Sequence, residues 1–331
     1  LTHAELLKDL FDWAIEHLEG REVIAIGHRV VHGGMRFAAP RRVDAALLTE
    51  LDALCPLAPL HQPHNLAAIR AIAALAPDLP QVACFDTAFH HDKSEVAARL
   101  ALPRALHEQG IRRYGFHGLS YEYIAGRLRT IDRELASGRV IAAHLGNGAS
   151  LCAMREGKSI DTTMGFTALD GLMMGTRCGA LDPGVVLHLQ TQLGMSANEV
   201  DDLLYRKSGL LGVSGISSDM RVLTADASSQ AREAVELFVW RAAREFGALT
   251  ASLGGVDGIV FTAGIGENHA EIRRRICERL GWLGLPIDDD ANPANALCIT
   301  DRGSRVKVLV IPTDEERMIA DHTLAVLRSG S

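Results

Sequence analysis

The chain has 331 residues, 47% of them hydrophobic and only 5% aromatic, with a formal net charge of −7. That length supports about two domains with buried cores, and the bias toward Ala, Leu, Val, Ile and Gly suits α/β layers rather than a β-sandwich. The acidic balance, without a long basic run, argues against nucleic-acid or anionic-membrane partners, and no apolar stretch reaches the ~18–20 residues that span a bilayer. In chain order, residues 2–18 predict a helix, with Leu6, Leu7, Leu10, Trp13, Ala14 and Leu18 at helical spacing and Thr2 as its cap. "EVIAIGHRVVHGG" predicts a buried strand from Val23 to Ile26 running into a polar turn. Residues 44–54 and 66–76 predict helices. The intervening "CPLAPLHQPHN", with three prolines, predicts a loop. "QVACFDTAFH" predicts a strand ending at Asp86. "RVIAAHLGNGASLCAM" and "KSIDTTMGF" predict two strands joined by a Gly turn, then a third. "LDGLMMGTRCGALDPG" is too Gly-rich for a regular element, and residues 229–253 are the longest helix candidate. "VDGIVFTAGIGENHAEIRRRICERL" predicts strand Val256–Phe261, a Gly loop and a helix capped by Asn268. "VKVLVIPTDEERMIADHTLAVLRS" predicts strand, turn and helix, capped by Thr313.

Polar residues collect where the apolar runs stop: His28, Arg29 and His32, then Asp86, Arg177 and Glu315. An arginine beside apolar residues needs an anionic partner, because its guanidinium cannot shed its charge. Any one of these arginines is equally served by a structural salt bridge. Two of them with an acid and histidines, all near Gly turns, point to an anion site. "HLGNGAS" and "TAGIGEN" each follow an apolar strand, and backbone N–H groups at such turns suit phosphate. A plain hairpin turn explains the first as well. The spacing in "HQPH" resembles a metal site but lacks a Cys or carboxylate partner, so His61 is assigned to a cleft wall and His64 to packing or capping. Met173 and Met174 are read as core. Arg273–Arg275 and Asp288–Asp290 are read as solvated faces. The six cysteines are scattered without a C-x-x-C, which suits a reduced cytoplasmic enzyme with thiols as core filler.

Nine strings, in order over nearly the whole chain, carry a family resemblance: "GHRVVHGG", "APLHQPHN", "CFDTAFH", "RRYGFHGLSYEY", "HLGNGAS", "MGFTALDGLMMGTRCGALDPG", "SSDMR", "TAGIGEN" and "IPTDEE". The sequence resembles the acetate/propionate/butyrate kinase family. The resemblance implies an α/β, duplicated ribonuclease H-like (actin-like ATPase) fold of two domains. It divides the chain into domain I (1–87 plus 316–331) and a nucleotide-binding domain II (88–315). It further implies a cytoplasmic homodimer, Mg²⁺ (or Mn²⁺), ATP/ADP as co-substrate, and reversible in-line transfer of the γ-phosphoryl to acetate, giving acetyl phosphate. The same resemblance assigns Arg29 and Arg177 to substrate carboxylate and phosphoryl, Asp86 to the reacting groups and the metal, His117 to the phosphoryl oxygens, and Glu315 to Mg²⁺. His61 supports the site, and Val31, Leu60, Phe116 and Ala168 form the methyl pocket. His144, Leu145, Gly146, Asn147 and Gly148 would meet the ATP phosphates, and Asp219, Met220 and Arg221 the adenosine. Gly264, Ile265, Gly266, Glu267 and Asn268 would take the far side of the nucleotide.

The sequence departs from the family pattern in four places. The family begins with a strand and turn of the type Asn-x-Gly-Ser-Ser-Ser-x-Lys, which has no counterpart here before Leu1. This favours a piece of a longer protein, with its first domain lacking those strands, over a truncated, inactive relative. Ala168 stands where Pro is common, Met35 where Glu is usual, and Asp314 where Asn is usual. Propionate as preferred acceptor, or non-catalytic nucleotide binding on an actin-like fold, are the competing expectations.

Overall fold

The computed structural model describes residues 9, 13, 16–18, 21–59 and 61–329, so the expected helix at 2–18 lies almost wholly outside the described residues. Strands β1 (Ile26–Val30), β2 (Arg41–Arg42) and β3 (Gln81–Phe85) form one sheet in the order β1-β3-β2. β1 runs parallel to β3, with Arg29 opposite Cys84 and Val30 opposite Phe85. The Asp86 amide donates to Val30 O at 3.1 Å, which carries the pairing one residue past the strand. The strand lies three residues later than the expected Val23–Ile26, so His28 and Arg29 belong to it rather than to a turn. It is also not buried: among the described residues it pairs with β3 alone, and Ile24 before it is exposed.

Helices α1 (Ala45–Asp52, capped by Asp44) and α2 (Gln62–Leu75) cover one face of this sheet through Val30, Leu47, Leu51, Leu66, Ile69 and Phe85. Contrary to the loop expectation, "QPHN" is the first turn of α2. Pro63 sits where a helix needs no N–H from it, so a proline there does not break the helix.

The second sheet has the order β6-β5-β4-β7-β8. β4 (Arg139–Leu145), β5 (Ala149–Arg155) and β6 (Lys158–Thr162) form an antiparallel meander, and β7 (Gly258–Thr262) and β8 (Lys307–Val310) join β4 in parallel. The alternation of β4 divides two cores. Ile141, Ala143 and Leu145 face the 25-residue helix Ser229–Leu253, while Val140 and Ala142 face Gly118–Ile131, named α3 here. The long helix presents Ala231, Ala234, Val235, Phe238, Val239, Ala242, Phe246 and Leu249 along its buried stripe, and it ends at Gly254 with φ +70°. Burying these side chains stabilises by about 1.5–3 kcal/mol for each large one.

The C-terminal helix Glu315–Ser329 returns to the first sheet, where Met318, Ile319 and Val326 pack on Val82, Cys84 and Leu119. It approaches β1 so closely that a Cβ on Gly27 would collide with Ile319 Cγ2 and Thr323 Oγ1. Its cap is Asp314 rather than Thr313: Asp314 Oδ1 accepts from the Arg317 amide at 2.8 Å.

Three further expectations change. "AGIGEN" is a short helix (Ala263–Asn268), not a Gly loop, and Asn268 is its last residue rather than the cap of the next helix. Arg273 is fully buried, because α/β connections at 266–267 and 292–295 wrap its guanidinium with acceptors; Arg274 pairs with Asp289 as a surface pair does. Cys84, Cys152 and Cys277 are buried as expected, but Cys298 is exposed. Met173 and Met174 lie in the core.

Candidate active site

The ends of both sheets converge on one cavity of about 330 Å³. From the first sheet it receives Arg29 near the end of β1, Val31 just after it, Asp86 after β3, and His61 and Asn65 from the start of α2. The second sheet contributes His144 at the end of β4, the turn Gly146-Asn147-Gly148, and His117, which opens α3. Arg177 and Ala168 come from the irregular stretch before Pro183.

Asp86 and α3 are locked together. The Gly118 amide donates to Asp86 O at 2.9 Å, and a Cβ at Gly118 would collide with that carbonyl. His117 precedes it at φ +58°, a left-handed conformation that only its surroundings sustain in a histidine.

Two carboxylates flank one guanidinium. Arg29 Nε donates to Asp86 Oδ2 at 2.8 Å, and Arg29 Nη1 donates to Glu315 Oε2 at 3.3 Å. Burial pushes the Arg29 pKa down, but the two acids outweigh it and the net shift is upward. Burial raises Asp86 and Glu315 more than Arg29 lowers them. Asp86 Oδ1 and Glu315 Oε1 are each buried without a hydrogen-bond partner among the described residues. Two buried hard oxygens, on acids that burial holds above the usual carboxylate range, fit a divalent cation such as Mg²⁺, which takes one or two carboxylates plus substrate phosphates.

Arg177 differs from Arg29. Its Nη1 donates to Ala168 O at 2.7 Å, and it has no carboxylate partner among the described residues. Burial lowers its pKa with only Tyr205 opposing. A Cβ at Gly148 would lie 3.0 Å from Arg177 Nη2 and 3.4 Å from His117 Nε2, so the glycine leaves both groups open to a bound anion. The turn itself is docked by Gly175, whose amide donates to Asn147 O at 3.0 Å.

Burial, followed by the charges of His144, Arg29 and Arg177, holds His117 well below the usual histidine value. Burial takes His144 to about 3 and lowers His61 beside Arg177 and Arg29.

A second cavity of about 570 Å³ shares Gly146 and Asn147 with the first and continues between Ser218–Arg221 and Gly264, Ile265, Asn268 and His269. Asp219, Met220 and Arg221 therefore line it as a group. Gly266 and Glu267 do not: Gly266 is buried behind the wall, and Glu267 Oε1 accepts from the Ala263 and Thr313 amides at 2.7 and 3.0 Å. That carboxylate takes up the first amide of the short helix, the one the sequence offers to phosphate. Leu145 is likewise turned fully into the core.

A third, narrow space of about 10 Å³, the size of one water probe, opens between Val31, Phe116 and Ala168 and is closed by Ala58, Thr167 and Tyr205. Leu60 falls outside the described residues. Nothing in the sequence pattern singles out Asn65, whose Oδ1 accepts from the Val31 amide at 3.0 Å, nor His269 or Tyr205.

An anion site joined to a second cavity, where a three-stranded and a five-stranded α/β sheet meet, fits a phosphotransferase with an actin-like ATPase-type fold. Residues 3–321 match the Acetokinase family, and the chain belongs to that family. An acetate kinase from Rhodopseudomonas palustris is 57% identical over 332 residues, 99% of this chain and 83% of its own length. One from Methylocella silvestris is 55% identical over 98% of this chain and 80% of its own. Among solved structures, a propionate kinase from Francisella tularensis superposes with a TM-score of 0.94 at 40% identity, covering 98% of this chain and 85% of its own. The acetate kinase of Porphyromonas gingivalis gives 0.90 at 37%, with the same coverage.

Proposed function

We propose that this chain is an ATP:acetate phosphotransferase, transferring the γ-phosphoryl of ATP reversibly to acetate to give acetyl phosphate and ADP. The observation that carries the reading is Arg177, a half-buried cation without a carboxylate partner among the described residues, set beside a phosphate-sized turn and a methyl-sized slot. An acetate carboxylate is ionised at pH 7, so the reaction needs no strong base. It needs two anions held together and charge on the phosphoryl oxygens offset. Arg29 and Arg177 bind the carboxylate and the phosphoryl, and His117 donates to a phosphoryl oxygen. Asp86 fixes Arg29 beside them, and His61 adds bulk and polarity to the wall. Gly146, Asn147 and Gly148 receive the ATP phosphates, and the walls of Asp219–Arg221 and of Gly264, Ile265 and Asn268 receive the nucleoside. Asp86 and Glu315 would hold Mg²⁺, which would supply positive charge to offset that of the phosphates.

The slot is too narrow to favour a longer chain, so we take acetate as the preferred acceptor although a propionate kinase is among the similar structures. In a hydroxamate assay with ATP, kcat/KM for acetate is expected to exceed that for propionate by about 10–200-fold. The reverse order would make propionate the substrate, and ATP binding without acyl phosphate would make the chain a non-catalytic nucleotide binder.

Acidity gives a second test. Asp86 and Glu315 must be ionised to hold a cation, and burial raises both. Activity should therefore fall with decreasing pH sooner than an ordinary carboxylate would dictate. Raising Mg²⁺ should move that limb to lower pH, because metal competes with protons. A limb indifferent to Mg²⁺ would remove the two acids from the metal site.

We assign residues 1–87 with 316–331 to one domain and 88–315 to the other, supported by the C-terminal helix packing on the first sheet. Helix Pro183–Thr191 buries none of its residues, and Leu181, Val185, Leu187 and Leu193 around it are exposed. That apolar face supports a homodimer. Sedimentation of a Leu187→Asp variant as a dimer would exclude this helix from the interface. No helix among the described residues is long and apolar enough to cross a membrane.

A further inference from the structure

His117 and His144 stack in the cavity wall with ring centroids 4.2 Å apart and planes 16° from parallel. Behind His117 runs a short chain of hydroxyls. His117 Nδ1 lies 2.8 Å from Ser150 Oγ, and Ser150 Oγ lies 2.5 Å from Tyr121 Oη. Ser150 and Tyr121 are both fully buried, one on β5 and the other on α3. Neither hydroxyl has another side-chain partner among the described residues, and the His144 backbone amide bears on the phenol oxygen only as a donor.

Counting protons fixes the direction of this chain. The three polar atoms make two hydrogen bonds. If Nδ1 carried a proton, three protons would compete for those two bonds, and one of them would be stranded in the core. A stranded buried donor costs about 1–3 kcal/mol, equivalent to roughly a 5- to 150-fold bias against that tautomer. With Nδ1 bare, two protons fill two bonds: Tyr121 donates to Ser150, and Ser150 donates to Nδ1. The imidazole proton then sits on Nε2, the nitrogen beside Gly148 and the cavity.

We propose that Tyr121 and Ser150 are positioning residues that hold His117 as an Nε2–H donor aimed at the transferring phosphoryl. This rests on the reading that His117 meets that phosphoryl. A doubly protonated ring would strand a proton in the same way, and burial already holds His117 well below its usual value. The site thus sets a neutral donor between two arginines, where a third cation would be repelled. His144 has a similar arrangement, with Nδ1 2.9 Å from Ser120 Oγ and Ser120 Oγ 2.9 Å from Thr313 Oγ1. Thr313 is only half-buried, however, so its proton can reach solvent and the count does not close.

The test begins with the unaltered protein labelled with ¹⁵N in histidine. Long-range ¹H–¹⁵N correlations, assigned with a His117→Gln variant, are expected to show His117 protonated on Nε2 alone at neutral pH. A proton on Nδ1 overturns the proposal without any mutation of the chain of hydroxyls. Ser150→Ala removes both hydrogen bonds. It should give a mixed tautomer and lower kcat by about 10-fold or more, short of the ~100–1,000-fold for losing a whole donor, with KM for acetate little changed. An unchanged tautomer in Ser150→Ala also overturns it. If His117→Gln keeps its turnover, the phosphoryl-donor reading fails, while the tautomer of the parent still decides whether the hydroxyls set the ring.

Discussion

Arg177→Ala is expected to lower kcat by at least about 100-fold with the fold intact, the loss typical of one donor aimed at developing charge. The guanidinium is held by a single bond to Ala168 O and lies against Gly148, in a stretch without helix or strand. Removing it breaks no ion pair among the described residues, so the thermal midpoint should barely move. Arg29→Ala is a less clean probe of the same chemistry. It strips Asp86 of its one cation among the described residues while leaving a 2%-exposed carboxylate behind, and that alone destabilises by several kcal/mol. A kcat within a few-fold of the parent in Arg177→Ala, measured by acyl phosphate formation, would remove Arg177 from the transition state.

The contrast between the two arginines shows what the sequence discloses. Both stand beside apolar runs and both need an anion. The pattern cannot say that Arg29 finds two acids within the protein whereas Arg177 finds none, because those acids are 57 and 286 residues away along the chain. Asp86, the Gly turn at 146–148, Val31, Phe116 and Ala168 share one cavity, and their grouping was legible because their strings are long and family-specific. The meander β4-β5-β6 was legible from the continuous apolar runs of β4 and β5, whose residues are buried on both faces, and from the Gly turn that joins them.

Errors arose where one local signal had two physical solutions. Pro63 marks a break in a helix interior but is neutral in a first turn, so α2 starts four residues earlier than its apolar spacing suggests. Two glycines in "TAGIGEN" suggested a loop, yet a short helix forms there because Glu267 reaches back to the Ala263 amide and caps it. The apolar run at Val23–Ile26 matched a buried strand, but the hydrogen bonds fall at Ile26–Val30, where β3 is in register. Asn65, Ser150 and Tyr121 lie within the family strings, but nothing in the pattern gives any of them a role of its own. Their importance is only in what they touch.

Arg273 was the largest misreading, and it makes the second strong prediction. A run of three arginines matches a solvated face, and only the wrapping of distant loops distinguishes its first member. Nε donates to Asn292 Oδ1, Nη1 to Gly266 O and Glu267 O, and Nη2 to Asn292 O and Asn295 Oδ1, all between 2.6 and 2.9 Å. No acid shares the site, so the charge is held by carbonyl dipoles alone, and burial lowers its pKa. Two of those carbonyls lie in the last turn of the short helix whose Gly264, Ile265 and Asn268 line the second cavity, the proposed nucleotide site. Arg273→Met should therefore destabilise by about 3–5 kcal/mol, because several buried acceptors lose their donor at once. It should also raise KM for ATP well above any change in KM for acetate, since the acetate slot rests on other elements. Arg273→Lys keeps the charge but not the fork, and should recover only part of both losses. Urea unfolding of the two variants alongside the parent measures the first effect, and initial rates at varied ATP and acetate measure the second. Unchanged unfolding would remove the structural account. A fall in stability with both KM values moving together would leave Arg273 as a clamp for the fold with no separate hold on the nucleotide wall.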